Sequence, residues 1–191
     1  GQADRALSYL HNHEVFDLKG IHSHIGSQIF GEEGYMIAMD RIFSKLLEWK
    51  IQHGFTPRVL NIGGGFGIRY SMRDHLKPYE GFITLVVEKF IKRCHEIDIP
   101  VPQLWIEPGR SVVGEAGTTL YTIGARKEIP GIRTYVSVNG GMTDNILPAI
   151  YQAVYEAVLS NRMLDETEEE VTIAGRCCES ADVLVENIKL A

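Results

Sequence analysis

Leu104-Trp105-Ile106-Glu107-Pro108-Gly109-Arg110-Ser111 is a short apolar run that ends in a carboxylate, a Pro-Gly turn and a guanidinium. A buried strand of an α/β protein delivers charged groups to its C-terminal end in this way. Read alone, the acid and the base could also be an internal ion pair that closes a loop. The flanking segments bear on that choice.

Working upstream, residues 3–12 carry Ala6, Leu7 and Leu10 at helical spacing, with Asp4 near the start. Residues 16–25 read as a strand that ends in Gly26-Ser27-Gln28. Residues 33–52 repeat apolar positions every three or four (Met36, Met39, Ile42, Phe43, Leu46, Leu47) and predict a long amphipathic helix stopped by Gly54. A short strand over 58–62 is closed by Gly63-Gly64-Gly65-Phe66-Gly67, and a second long helix is expected over 78–97 with Pro78 near its first turn. The strand at 104–107 follows. Helix, strand, helix, strand, helix, strand predicts parallel strands with crossover helices, as an open sheet or as part of a (β/α)8 barrel. In both folds the chemistry gathers at strand C-terminal ends.

Downstream of Gly117 the pattern changes. Residues 118–127 and 133–138 are β-branched and aromatic-rich, with Pro130-Gly131 as the turn between them. A shorter helix is expected over 148–158, a solvated acidic loop over 165–170, and a strand over 171–174. The last residues, Ile188-Lys189-Leu190-Ala191, read as a strand or its end. The reading is therefore two domains, an α/β portion over 1–114 and part of a mainly β domain over 115–191, without internal repeats.

Composition narrows the function classes. The 191 residues are 45% apolar and 23% charged, an ordinary globular balance. Net charge is −6, which argues against electrostatic nucleic-acid binding. No apolar run approaches the roughly 20 residues of a membrane span, and no signal-peptide pattern is present. Three cysteines, two of them adjacent, do not form a disulfide framework, so a reducing cytoplasm is expected. Beginning at Gly1-Gln2 and ending in a strand-like stretch, the sequence reads as a piece of a longer protein.

Three further clusters carry chemistry. The glycine loop at 63–67 lets backbone N–H groups approach an anion, such as a single phosphate, though it could also be only a tight turn. It lacks the spacing of a dinucleotide fingerprint and the Lys-Ser/Thr of a P-loop. His22 and His24 would share one side of a strand by period 2. Metal binding is the rival reading there, but no third ligand is evident, so none is assigned. In Cys177-Cys178-Glu179-Ser180-Ala181-Asp182 a thiol beside two carboxylates is a candidate for proton transfer, against the alternative of inert filler.

Together, GIHSHIGSQI (20–29), LNIGGGFG (60–67), WIEPGRSVVGEAGTTLY (105–121), TYVSVNGGMTDN (134–145) and CCESAD (177–182) resemble, in this order, the diaminopimelate decarboxylase family. These are pyridoxal-phosphate decarboxylases of the alanine-racemase-like fold, related to ornithine and arginine decarboxylases. The resemblance implies the C-terminal portion of a (β/α)8 TIM-type barrel followed by part of the β domain. It implies pyridoxal 5′-phosphate as cofactor, with His24 on the ring face and Ser27, Gly63, Gly64, Gly65, Gly109 and Arg110 at the phosphate. Glu107 would partner the pyridine nitrogen. Arg110 would also meet a substrate carboxylate, Tyr151 would contact substrate, Cys178 would donate a proton, and Glu179 would bind the distal amino group. Cys178 and Glu179 would serve the neighbouring subunit's site, which implies a homodimer. The implied reaction is decarboxylation of meso-2,6-diaminopimelate to L-lysine. Another amino-acid substrate, or an inactive binding subunit, are the alternatives.

The sequence departs from the family pattern at three points. No lysine matches the family's Schiff-base motif, which is expected upstream. Leu147 stands where an arginine is usual. Ala181 stands where glycine is usual, which would strain the turn if that position needs positive φ.

Overall fold

The computed structural model describes residues 1–71, 74–75 and 78–191. They form two compact units, one of Gly1–Arg69 with His75–Ala116, the other of Tyr70–Asp74 with Gly117–Ala191.

In the first unit α1 (Gln2–His11), β1 (Gly20–His22), α2 (Glu33–His53), β2 (Val59–Asn61), α3 (Tyr79–Glu96), β3 (Gln103–Trp105) and the single turn α4 (Arg110–Val113) follow in order. The strands pair in parallel as β1-β2-β3, with Ile21, Leu60 and Leu104 on one rung and His22, Asn61 and Trp105 on the next. Ile21, Leu60 and Leu104 pack into the core with the buried stripes of the two long helices. α2 contributes Tyr35, Met39, Phe43, Leu46 and Trp49, and α3 contributes Phe82, Val86, Phe90 and Cys94. Spacings of three and four place each set on one helix face. Burial pushes the Cys94 thiol up to about 11, which fits a packing role. Gly54 ends α2 at φ 65, a left-handed cap that glycine adopts without steric cost. Pro78 is the N-cap of α3, next to its first turn as the sequence suggests.

The second unit is a four-stranded mixed sheet, β4 (Ile123–Ile129), β5 (Arg133–Val138), β6 (Glu169–Ala174) and β7 (Val183–Leu190), in sequential order. β5 and β6 are parallel, and the other two pairs are antiparallel. Val136, Val138, Val171, Ile173, Leu184 and Leu190 form its core, alternating along each strand as period 2 requires. The α/β portion with parallel strands and the sheet-rich unit match the fold expected from the sequence.

Boundaries moved where long-range pairing overrode local pattern. The strand expected over 16–25 is only Gly20–His22, as long as its three-residue partner β2. The first β-unit strand, expected over 118–127, runs Ile123–Ile129. The helix expected over 148–158 is α5 (Leu147–Tyr151): Gln152 turns left-handed at φ 54, and its N–H returns to Pro148 O at 3.1 Å. The acidic run is not wholly loop, because Glu169 and Glu170 pair with Leu190 and Lys189 in β6–β7.

Candidate active site

The site in the first unit follows from strand register. His22 and Asn61 share a rung, and the parallel ladder continues past the strands through Ser23 N–H to Asn61 O (2.9 Å), Ile62 N–H to Trp105 O (3.1 Å) and Glu107 N–H to Gly63 O (2.8 Å). Two residues beyond the rung of His22, Asn61 and Trp105 come His24, Gly63 and Glu107, which period 2 returns to the same side. Asn61 bridges two of the expected site features. Its Nδ2 donates to Glu107 Oε1 and its Oδ1 accepts from Gly63 N–H, both at 2.8 Å. His22 Nε2 lies 3.3 Å from Glu107 Oε2. The Glu107 side chain nevertheless stays 54% exposed, so the carboxylate is oriented and still open at the strand ends.

The glycine loop wraps closely around the same point. A Cβ on Gly64 would lie 2.0 Å from Glu107 O, and one on Gly65, whose φ is 92, would lie 2.0 Å from Gly26 O. Tyr35, buried on α2, donates its hydroxyl to Gly64 O at 2.6 Å, and burial pushes its pKa up to about 12. Ile29 N–H donates to Gly65 O at 2.9 Å. The Gly63 amide is engaged by Asn61, and the Gly64 amide reaches His24 Nδ1 at 3.4 Å. Among the described residues the Gly65 amide has no hydrogen-bond partner. The Ser23 hydroxyl is buried and likewise has none.

His24 and Ser27 are exposed in the segment after β1, where Gln28 fixes the turn through two 3.0 Å bonds to the Ile68 backbone. His24 lies past the end of β1, so its place beside the loop comes from the extended ladder rather than from the strand itself. Gly109 precedes α4 and Arg110 opens it. An open amide, an exposed imidazole and an oriented carboxylate thus converge at the C-terminal ends of the three parallel strands. This donor set suits a ligand with an anionic group and a protonatable ring.

Tyr151, Cys178 and Glu179 lie in the second unit. Tyr151 ends α5 and is exposed. Cys178 is exposed and free, whereas Cys177 is half-buried, its thiol pushed up by burial and then by Asp182. Glu179 is held below the usual carboxylate range by the Ser180 hydroxyl and then by the Ala181 and Ser180 amides. Ala181 has no positive φ, so alanine meets no left-handed strain there. Leu147 begins α5, its N–H on Asn145 Oδ1 at 3.3 Å.

Asn61 and Tyr35 were not singled out by sequence reasoning, and Asp182 was marked only as one of two carboxylates beside the thiol, not as a group that binds backbone. A polar residue inside Leu60-Asn61-Ile62 was the one available signal. Tyr35 reads as ordinary helix core, and Asp182 as one more acid in a polar turn.

Comparison with known proteins places this arrangement. The profile described as "Pyridoxal-dependent decarboxylase, pyridoxal binding domain" matches residues 2–114. A diaminopimelate decarboxylase of Bacillus methanolicus is 49% identical over 190 residues, covering 100% of this chain and 44% of that protein. A crystal structure of diaminopimelate decarboxylase from M. jannaschii superposes with a TM-score of 0.85 at 30% identity, over 100% of this chain and 42% of its own. A second one from that organism, in co-complex with L-lysine, gives 0.83 at 29%, with coverage of 100% and 42%. The chain thus spans less than half the length of these relatives. Since the matched residues 2–114 make up more than half of its 191 residues and include the glycine loop and Glu107, the chain belongs to the pyridoxal-dependent decarboxylases.

Proposed function

We propose that this chain is part of a pyridoxal-phosphate-dependent decarboxylase that converts meso-2,6-diaminopimelate to L-lysine and CO2. The observation that carries the reading is Glu107, a half-exposed carboxylate held by Asn61 at the mouth of β3, beside a glycine loop with an open amide. The likeness to diaminopimelate decarboxylases over the whole chain supports the choice of substrate.

When bound, the cofactor supplies an electron sink for the bond that breaks as CO2 leaves. Glu107 holds a proton at the pyridine nitrogen, because a nearby carboxylate favours the charged ring. Asn61 and His22 orient that carboxylate. His24, beside the loop through its long contact to the Gly64 amide, would stack on the ring. Gly64 and Gly65 would offer amides to the phosphate, with Ser27, Gly109 and Arg110. Gly63 contributes mainly shape, since its amide already serves Asn61. Arg110 also meets a substrate carboxylate. Tyr151 contacts substrate, Glu179 takes the distal ammonium, and Cys178 returns a proton to the carbon that lost CO2. We assign the last two to the partner subunit's site in a cytoplasmic homodimer. The lysine that anchors the cofactor is assigned to residues preceding this segment, and the domain roles to 1–114 for cofactor binding and 115–191 for substrate and dimer contacts. No membrane or nucleic-acid partner is proposed. Among the described residues no helix is long and apolar enough to cross a membrane.

Leu147, where the family usually has arginine, favours a second reading in which another amino acid is the substrate. Assay of the full-length protein against meso-diaminopimelate, ornithine, arginine and lysine separates the two. Fastest CO2 release from meso-diaminopimelate is expected, and faster turnover of ornithine or arginine would overturn the first reading.

A further inference from the structure

Asp182 is a buried acid that the chemistry above does not use. It is 3% exposed, and each carboxylate oxygen accepts a backbone amide from a different turn. Met142 N–H donates to Oδ1 and Cys177 N–H to Oδ2, both at 2.6 Å. Two glycines make room for it. A Cβ on Gly175 would lie 2.3 Å from both oxygens, and one on Gly141 would lie 2.7 Å from them. The Asp182 backbone completes the frame: its carbonyl accepts Gly175 N–H at 2.8 Å, and its N–H donates to Glu179 O at 3.0 Å. Arg176 N–H adds a bond to Gly140 O at 3.0 Å.

One side chain therefore ties the turn at 140–142 to the turn at 175–177. Cys178 and Glu179 lie between two of its attachment points, residues 177 and 182. On the other side the tie continues through Gly141, whose carbonyl accepts Asp144 N–H (2.9 Å) and Asn145 N–H (3.0 Å), and through Asn145 to Leu147 at the start of α5. A carboxylate suits this place because both of its oxygens accept. A carboxamide of the same shape accepts with one oxygen and sets its NH2 against the second amide. Ionised acceptors also make the stronger amide bonds.

We infer that Asp182 is a positioning residue that fixes the Cys178-Glu179 loop relative to α5 and Tyr151. It sets where the thiol and the distal-amine carboxylate are presented. The inference rests on the roles proposed above for Cys178 and Glu179.

The test uses Asp182→Asn in the full-length holoenzyme and reads two quantities at a temperature well below its Tm. One is the rate of iodoacetamide labelling at Cys177 and at Cys178, resolved by peptide mass spectrometry. The other is kcat per bound pyridoxal phosphate on meso-diaminopimelate. Loss of the clamp is expected to raise Cys177 labelling about tenfold and to lower kcat per cofactor about 100-fold, the scale of a misplaced catalytic group. Labelling rates within twofold of wild type in the folded variant would overturn the inference. So would a lower Tm with kcat per cofactor unchanged, the signature of a merely structural contact. Should Asp182→Asn not accumulate folded, Gly141→Ala pushes the carboxylate off its amides while keeping the charge. It is expected to show the same two shifts, and wild-type labelling there overturns the proposal. Lack of diaminopimelate turnover by the wild type would sink the functional reading instead, and the labelling result would still decide the positioning role.

Discussion

Glu107, just past the end of β3, and Asp182, just before the start of β7, are both carboxylates at a strand end beside a glycine-rich turn, yet they are built in opposite ways. Glu107 is half-exposed, is oriented by the side chains of Asn61 and His22, and leaves the loop around it to be held by other groups, Tyr35 among them. Asp182 is buried and is itself the group that holds the loops, through two backbone amides. The first unit thus fixes its glycine loop with neutral groups and keeps its acid open, whereas the second uses its acid as the fixture and exposes its thiol. An acid that shapes backbone must be desolvated and fully bonded. An acid that acts on a ligand must stay reachable.

Removing each device tests that contrast. The largest effect on stability is expected from Asp182→Ala, which leaves two buried amides without acceptors and costs about 3 kcal/mol or more in urea unfolding. Glu107→Ala should stay within about 0.5 kcal/mol of wild type, as for other exposed positions. Equal losses at the two sites would break the comparison. Next comes Gly65→Ala, whose Cβ meets Gly26 O in a left-handed conformation. About 3 kcal/mol and loss of pyridoxal phosphate binding are expected, measured by unfolding and by cofactor titration. Asn61→Ala follows at about 2 kcal/mol, since it frees the Gly63 amide and the Glu107 carboxylate together. Unchanged cofactor affinity in that variant would show that Glu107 needs no orientation.

Among the groups that hold the loops, the smallest loss is expected from Tyr35→Phe, about 1 kcal/mol for one buried hydroxyl bond. It also carries a pH signature. Burial raises Tyr35 from 10.0 to about 12, so the folded chain keeps a proton that the unfolded chain releases. That stabilisation is complete below about pH 10 and is lost as pH rises through 10 to 12. In Tyr35→Phe this part of the alkaline slope should vanish, and an identical slope in both proteins would contradict it.

Much of the first unit was legible in the sequence because its signals are local. The stripe from Met39 to Leu46 and the stop at Gly54 define α2 without tertiary information. The residues proposed to face the ligand were likewise marked by strand-end motifs. What escaped depends on distance along the chain. Asn61 meets Glu107 across 46 residues, Tyr35 meets Gly64 across 29, and Met142 meets Asp182 across 40. No periodicity encodes such pairs. The helix expected over 148–158 failed for a related reason: its apolar spacing persists after Gln152 has turned the chain, and Ala157 and Leu159 pack on the sheet core without helical backbone.

The central claim, that Glu107 works on the cofactor rather than on the fold, is tested most directly by Glu107→Gln in the full-length holoenzyme. One titration of kcat against bound pyridoxal phosphate, on material whose Tm is known, is enough. The account predicts wild-type Tm and cofactor content with kcat lowered about 10²–10³-fold, the scale of losing one preorganised charge contact. Near-normal turnover per bound cofactor would contradict it.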